Sequence, residues 1–260
     1  MNKISLKYFT GTGNSLRILN TLKNNFEKNN FSVDISCITD NNGISSDCDL
    51  AGFCFQVYAF GLPRICRKYL NNLGVQTTTK KAFLIVTAGD TDEIGFAIKT
   101  GKEILQRKNF KVVYSEVVQM PSNWITFINP PTKEEAQLII DNGIKKAEQI
   151  VHNIIEKKEH HHPFNIPEKD KRFQYYSFHK MGVYYMWKMF RTNEDCNSCG
   201  LCAKVCSTKS IIMIDGKPKW KSSCEQCMRC VNFCKQQSIY QTYGGNTKGK
   251  NRYIEPHFKS

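Results

Sequence analysis

Cys196-Asn-Ser-Cys199-Gly-Leu-Cys202-Ala-Lys-Val-Cys206 is answered further along by Cys224-Glu-Gln-Cys227-Met-Arg-Cys230-Val-Asn-Phe-Cys234. Both runs read C-x2-C-x2-C-x3-C, and the second lies 28 positions after the first. Three thiolates in one short loop can each hold a different corner of an iron–sulfur cubane, while the fourth Cys, set off by three residues, reaches the other cluster. The expected ligands are Cys196, Cys199, Cys202 and Cys234 for one [4Fe–4S] centre, and Cys224, Cys227, Cys230 and Cys206 for the second. Structural zinc takes ligands in pairs and closes at four, a poor match to a Cys triple. A disulfide framework needs an oxidising compartment, to which nothing in the chain points.

This stretch resembles the bacterial two-cluster ferredoxin domain. Ser210-Ile211 and Ser238-Ile239 repeat at the same offset of 28, as the internal pseudo-symmetry of that fold requires. The family places Pro directly after the fourth Cys, where this chain has Ser207 and Lys235. No ligand is lost by that departure, which bears on local packing and reduction potential.

The 260 residues suit one large domain or two modest ones, and the composition, 40% hydrophobic and 23% charged, is that of an ordinary soluble protein. No charged-then-apolar leader precedes Lys3-Ile4-Ser5-Leu6, and the longest apolar run, 50–62, is too short for a bilayer, so no transmembrane segment is expected. Twelve Cys without a leader point to a reducing, cytoplasmic setting; Cys37, Cys48, Cys54 and Cys66 are left over as core or surface thiols. The net charge of +14 is lopsided: residues 166–260 hold 17 Lys/Arg against 7 Asp/Glu, a net of +10. A basic face steers acidic redox partner proteins. No recognition motif for nucleic acid accompanies the charge, so that class is not favoured.

From the N-terminus the pattern alternates strand and helix. Ile4, Leu6 and Tyr8 mark a first strand, and Leu16, Leu19, Leu22 and Phe26 a helix. Further strands are expected at 31–35, 50–57, 82–86 and 112–118. A helix carries Ile94 to Leu105, and the Thr132/Glu135 capping box opens a long one. This alternation predicts a doubly wound parallel α/β sheet.

Thr10-Gly11-Thr12-Gly13-Asn14-Ser15 follows the first strand. Its glycines allow close backbone approach to a phosphate, and its hydroxyls and helix N-terminal N–H groups can bond the oxygens. It lacks the Lys of a Walker loop and the spacing of a dinucleotide site. The segment resembles the phosphate loop of flavodoxins, T-x-T-G-x-T/S. That resemblance implies bound FMN and a strand order of 2-1-3-4-5. It also implies two ring-framing loops: Tyr58, Ala59, Phe60 and Gly61 after the third strand, and Thr87, Ala88, Gly89 and Asp90 after the fourth. The second loop lacks the aromatic that many flavodoxins place there, so the ring is expected to be more open on that side. Trp124 and Asn123, after the fifth strand, are further candidates to border the cofactor, with ordinary packing as the alternative.

Four segments result: a flavodoxin-like FMN domain over 1–158, a linker and aromatic interdomain helix over 159–190, a small α+β two-cluster ferredoxin domain over 191–243, and a basic C-terminal tail over 244–260. His160-His161-His162 reads as a solvated connector. Tyr175 to Phe190, rich in aromatics and Met, reads as a wedge between the domains, with a membrane-surface helix as the alternative. The tail either docks or stays free. The resemblance as a whole is to flavodoxin–ferredoxin fusions of anaerobic bacteria and implies electron transfer between FMN and two [4Fe–4S] clusters. No acid–base or nucleophilic constellation is assembled, so no catalytic residue is expected. The alternative is a flavin oxidoreductase fed through the clusters, which an open ring face would favour.

Overall fold

A computed structural model describes residues 3–40, 43–165 and 167–259 of the chain. The first two residues of the expected FMN domain and the last residue of the tail lie outside that range. The N-terminal part runs β1 (Lys3–Tyr8), α1 (Asn14–Lys28), β2 (Ser32–Cys37), β3 (Leu50–Gln56), α2 (Arg64–Asn72), β4 (Lys80–Ala88), α3 (Ala97–Arg107), β5 (Phe110–Gln119), α4 (Lys133–Ile155) and β6 (His160–His161). All six strands form one parallel sheet in the order β2-β1-β3-β4-β5-β6.

The apolar runs explain the layering. Successive residues of a strand point to opposite faces, so a strand covered on both sides must be apolar throughout. Phe53 and Phe55 of β3, with Leu84 and Val86 of β4, pack beneath α2 and α3. Cys54, Phe83 and Ile85 point the other way, into the core under α1 and α4. The capping box opening α4 is formed in both directions: Thr132 Oγ1 accepts from Glu135 N at 3.2 Å, and Glu135 Oε2 accepts from Thr132 N at 2.8 Å.

Two expectations need correction. Residues 64–72 carried no helical expectation, yet α2 forms there; only Cys66 and Leu70 of its nine residues are buried, too few to show a period. His160–His162 is not a free connector. His160 and His161 add the parallel edge strand β6, and His162 N donates to Ser115 O at 2.8 Å. Glu116 holds the strand there, its Oε2 3.1 Å from His160 Nε2 and its Oε1 2.9 Å from His162 Nδ1. A side-chain anchor of this kind is invisible to periodicity.

Beyond β6, α5 (Lys169–Ser177) continues through a π-turn (Phe178–Gly182), α6 (Val183–Tyr185) and a 3-10 turn (Met186–Met189) into β7 (Phe190–Thr192). The cysteine region follows with α7 (Leu201–Lys204), the hairpin β8 (Ile211–Ile214) and β9 (Lys217–Trp220), α8 (Arg229–Phe233) and β10 (Ile239–Gln241), which pairs with β7. Its core stacks Phe190 on Trp220, ring centroids 5.0 Å apart, beside Val231 and Ile239, and takes in Ile125 from the loop after β5. Tyr175 packs on Phe96 at 4.6 Å, whereas Phe173, Met181 and Tyr185 are 72%, 64% and 60% exposed. Among the described residues no helix is long and apolar enough to cross a membrane.

Candidate functional site: a cleft at the carboxyl ends of the strands

The loops after β1, β3, β4 and β5 meet at one end of the sheet, where the strand order reverses between β1 and β3. They border a cleft at the place where open α/β sheets bind their ligands. Thr10, Gly11, Thr12, Asn14 and Ser15 line it, as do Tyr58, Ala59, Thr87, Ala88 and Gly89. Four residues expected with them do not. Gly13 lies under the C-terminal segment, Phe60 meets Gly95, Gly61 lies against Tyr175 and His179, and the Asp90 carboxylate accepts from Asp92 N at 2.9 Å.

The phosphate-type loop is built from within and braced from outside. Gly13, at φ 111, ends it in a left-handed turn, and its N–H donates to Thr10 Oγ1 at 3.1 Å. α1 then starts without a side-chain cap and without an acidic residue in its first turn. That leaves a helix N-terminus suited to an anion. Ser15 Oγ and Thr87 Oγ1 lie 2.9 Å apart, and Asn14 Nδ2 donates to Pro121 O at 2.8 Å, tying three strand ends together.

The second loop is a tight turn in which Tyr58 and Gly61 exchange backbone hydrogen bonds of 2.8 and 3.0 Å. Ala59 and Phe60 at its centre have φ of 41° and 64°, the left-handed pair such a turn demands. Neither is Gly, so the turn carries strain, on the order of 1–2 kcal/mol per residue. His179 braces it. Burial, with the Arg67 guanidinium alongside, pushes this imidazole down to about 4. It is therefore neutral at pH 7. Nε2–H donates to Tyr58 O at 2.9 Å, leaving Nδ1 to accept from Arg67 Nη2 at 3.3 Å.

The remaining wall comes from outside the sheet. Trp124 and Asn123 border the cleft, as their position after β5 suggested, and so do Phe178 of the π-turn and Met186 of the 3-10 turn before β7. Ser122 packs over Gly89. Ser122 thus lies against the loop on the side where an aromatic was missing. Gln226 and Met228 complete the lining. Gln56 Oε1 is buried without a partner, a state that a ligand N–H or O–H would relieve.

Gln226 and Met228 flank Cys227, so the cysteine region abuts the cleft. Its two Cys loops repeat in conformation as well as in sequence. Ser198 and Gln226 have φ of 62° and 58°, Gly200 and Met228 of 73° and 57°, Lys209 and Gln237 of 50° and 52°, each pair 28 positions apart. Left-handed residues between the thiols turn the backbone around a common centre. The charges fall into two sets: Cys202 feels Cys234, Cys199 and Cys196, while Cys230 feels Cys227, Cys224 and Cys206. Burial and the neighbouring sulfurs push the Cys202 thiol up to about 11 and Cys224 and Cys230 higher still. Such crowding is unfavourable for free thiolates and suits a shared metal centre that replaces their protons. Among the described residues no group of three or more His, Cys, Asp or Glu is placed to hold a metal ion.

Polar contacts join the two parts beside the cleft and also away from it, where Lys250 Nζ donates to Ile125 O at 2.9 Å and Asn251 Nδ2 to Pro130 O at 2.9 Å. Arg229 donates to Gly11 O at 2.6 Å, Thr10 O at 2.8 Å and Val205 O at 3.1 Å. Asn123 Nδ2 donates to Thr12 Oγ1 at 3.0 Å and Cys227 O at 3.3 Å, and Asn232 donates to Asn123 O at 3.0 Å. Arg64 Nε meets Glu225 Oε1 at 2.9 Å. The tail, left undecided by its composition, docks: Glu255 N donates to Thr12 O at 2.8 Å and Tyr253 OH to Asn14 Oδ1 at 2.6 Å.

No family model matches the chain, and no curated protein is similar to it. Solved structures similar to it include flavodoxin 1 from Bacillus cereus, at 16% identity over 60% of this chain and 98% of that one, with a TM-score of 0.45. A Streptococcus pneumonia TIGR4 flavodoxin gives 15% identity over 60% and 99%, with a TM-score of 0.42. A protein titled flavone reductase gives 13% over 64% and 66%, with a TM-score of 0.46. At these values the neighbours say nothing of what this chain binds.

Proposed function

We propose that this chain is an electron-transfer protein holding FMN in the cleft and one [4Fe–4S] cluster on each set of four cysteines. The observation that carries the reading is the shared wall. Gln226 and Met228, on either side of Cys227, line the same cleft as Thr10, Thr12 and Ser15. A flavin and the cluster on Cys206, Cys224, Cys227 and Cys230 would then be neighbours.

The residues fit both groups. The uncapped start of α1 suits the FMN phosphate, and the orphaned Gln56 Oε1 awaits a donor. Tyr58 and Trp124 offer rings to a flat heterocycle. The paired left-handed residues and the crossed grouping of thiols are what two cubanes sharing a pseudo-two-fold require. When bound, FMN supplies two-electron capacity and a cubane one-electron capacity, so the set interconverts single- and two-electron traffic.

The chain's own residues arrange this traffic. Cys224 and Cys230 are buried beside the cleft, whereas Cys199 is exposed on the other set. The buried set thus serves the flavin and the exposed set serves an external partner. Phe178 and Met186 add apolar side chains to the wall of the cleft; a carrier is favoured over an enzyme because the expected flavin loops hold no acid–base or nucleophilic constellation. Lys217 Nζ, 2.8 Å from Cys196 O, belongs to the basic surface that would meet an acidic redox protein.

Purification without oxygen, followed by iron and flavin counting and a reductive titration, tests the reading. About eight iron and one FMN per chain, bleaching together, are expected. Eight iron without flavin, even after FMN is offered, would refute the flavin half; flavin without iron would refute the cluster half.

A further inference from the structure

Arg252 lies in the C-terminal segment and is buried at its charged end. Its Nη2 donates to Thr247 Oγ1 at 3.2 Å, but Nε and Nη1 are shielded from solvent and have no partner. Buried guanidinium donors are normally satisfied, because leaving them unpaired forfeits their hydration with nothing gained in return.

The segment around it is firmly placed. Gly249 N donates to Gln237 Oε1 at 2.8 Å, Thr247 Oγ1 to Ile239 O at 2.8 Å, and Tyr253 N to Asn232 Oδ1 at 3.0 Å. Asn232, Gln237 and Ile239 bracket Cys234, so these bonds tie the segment down on both sides of that thiol. Nearby carboxylates are engaged elsewhere: Asp195 with Lys248 at 2.8 Å, and Glu255 facing Arg17 at 3.5 Å.

We propose that Arg252 is the cation that pairs with the iron–sulfur centre on Cys196, Cys199, Cys202 and Cys234, turning Nε and Nη1 toward its sulfurs and raising its reduction potential. The inference rests on the two-cluster reading above. Reduction adds one negative charge to the centre, so a fixed cation with free N–H donors stabilises the reduced form more than the oxidised one. The other set is served differently. Arg229 stands near Cys227, but its three nitrogens already donate to carbonyls. Trp220, beside Cys230, offers only a neutral indole N–H. Arg252 therefore offers the outer centre free N–H donors that Arg229, with its own nitrogens engaged, does not offer the inner one.

The test uses full-length protein purified without oxygen, as wild type, Arg252→Gln and Arg252→Lys. Iron and labile sulfide are counted first, and both cluster steps are then titrated by electron paramagnetic resonance, with flavin absorbance in parallel. In Arg252→Gln one cluster step should move to lower potential, its reduced-to-oxidised ratio at the wild-type midpoint falling about tenfold. The second cluster and the flavin should stay in place, and Arg252→Lys should recover part of the shift. Loss of about half the iron in Arg252→Gln, with Arg252→Lys keeping all of it, also supports the pairing. Unmoved potentials, or two cluster steps moving alike, overturn it, as does equal iron loss in both variants. Wild-type protein without iron would defeat the cluster reading, and this inference with it, before either variant is measured.

Discussion

Replacing Arg229 by Met should loosen the joint between the phosphate-type loop and the cysteine region. The guanidinium is buried and satisfies three backbone carbonyls, those of Thr10, Gly11 and Val205. Hydrogen bonds from a charged donor contribute roughly 1.5–3 kcal/mol each, but three on one group do not add fully. Thr10 and Gly11 line the cleft, so water can reach their carbonyls once the side chain is gone. Val205 is 4% exposed, and its carbonyl would stay dry. Met fills much of the aliphatic volume, which keeps the cavity contribution small. The balance is a loss of about 3–5 kcal/mol, a large share of the roughly 5–15 kcal/mol that holds a domain folded.

Urea unfolding of the holoprotein under argon, read by release of flavin fluorescence, measures this loss. The midpoint should fall by about 1 M or more, and flavin should leave before the secondary structure melts. Arg229→Lys keeps the charge but not the planar fork, so about half the loss is expected. If Arg229→Met unfolds within about 1 kcal/mol of wild type at the same slope, the three bonds do not carry the joint and the reasoning fails.

His179 gives a pH dependence of definite sign. Its folded value of about 4 lies below the ordinary 6.5, so the unfolded chain binds the extra proton between those values. Stability is full above pH 6.5 and is lost as pH falls toward 4, by about 3 kcal/mol at most. Unfolding midpoints of wild type and His179→Gln across that window should converge as the pH drops. Met228→Gly relieves a left-handed residue, worth on the order of 1–2 kcal/mol, but empties a buried side-chain site, costing roughly 2–5 kcal/mol. The second term is larger, so calorimetry should show a lower Tm; a higher one would mean that strain dominates. Gly13→Ala would place a Cβ 2.6 Å from Phe258 Cβ in a left-handed turn, so limited proteolysis should find the C-terminal segment released.

How much of this could be read along the chain depended on whether the signal was local. β3, β4 and α4 announce themselves because each buries a regular pattern of its own residues. The 28-residue cysteine repeat is matched in conformation, since Ser198 and Gln226, or Lys209 and Gln237, share their left-handed geometry. The cleft was half legible. Its loops follow strands, but Phe178, Met186, Gln226 and Met228 enter it only through docking of distant segments, which periodicity cannot reveal. Met228 did leave a trace: it stands where the first copy has Gly200, and both positions are left-handed. A bulky residue at a glycine-type position is a reason to ask what its side chain touches. His179, outside every expected loop, gave no such sign.

The joint between the two parts shows what the fold is built to hold constant. Apolar burial tolerates small sliding, because dispersion and exclusion of water are non-directional. Directional bonds do not. Several polar links lie at the rim of the cleft, where Arg229, Asn123 and Asn232 each bind a backbone carbonyl across it and Glu255 N binds Thr12 O. Backbone carbonyls cannot swing away as side chains can, so these bonds fix the separation of two main chains, that of the phosphate-type loop and that of the Cys227 loop. Electron transfer between groups on those chains needs a short and fixed separation. The lock is therefore predicted to matter more for transfer between flavin and cluster than for either group's retention. Asn123→Ala should slow cluster reduction in single-turnover mixing of the holoprotein while iron and flavin content stay at wild-type levels. Normal transfer in that variant would show that the apolar contact through Ile125, Met228 and Trp220 fixes the spacing without help.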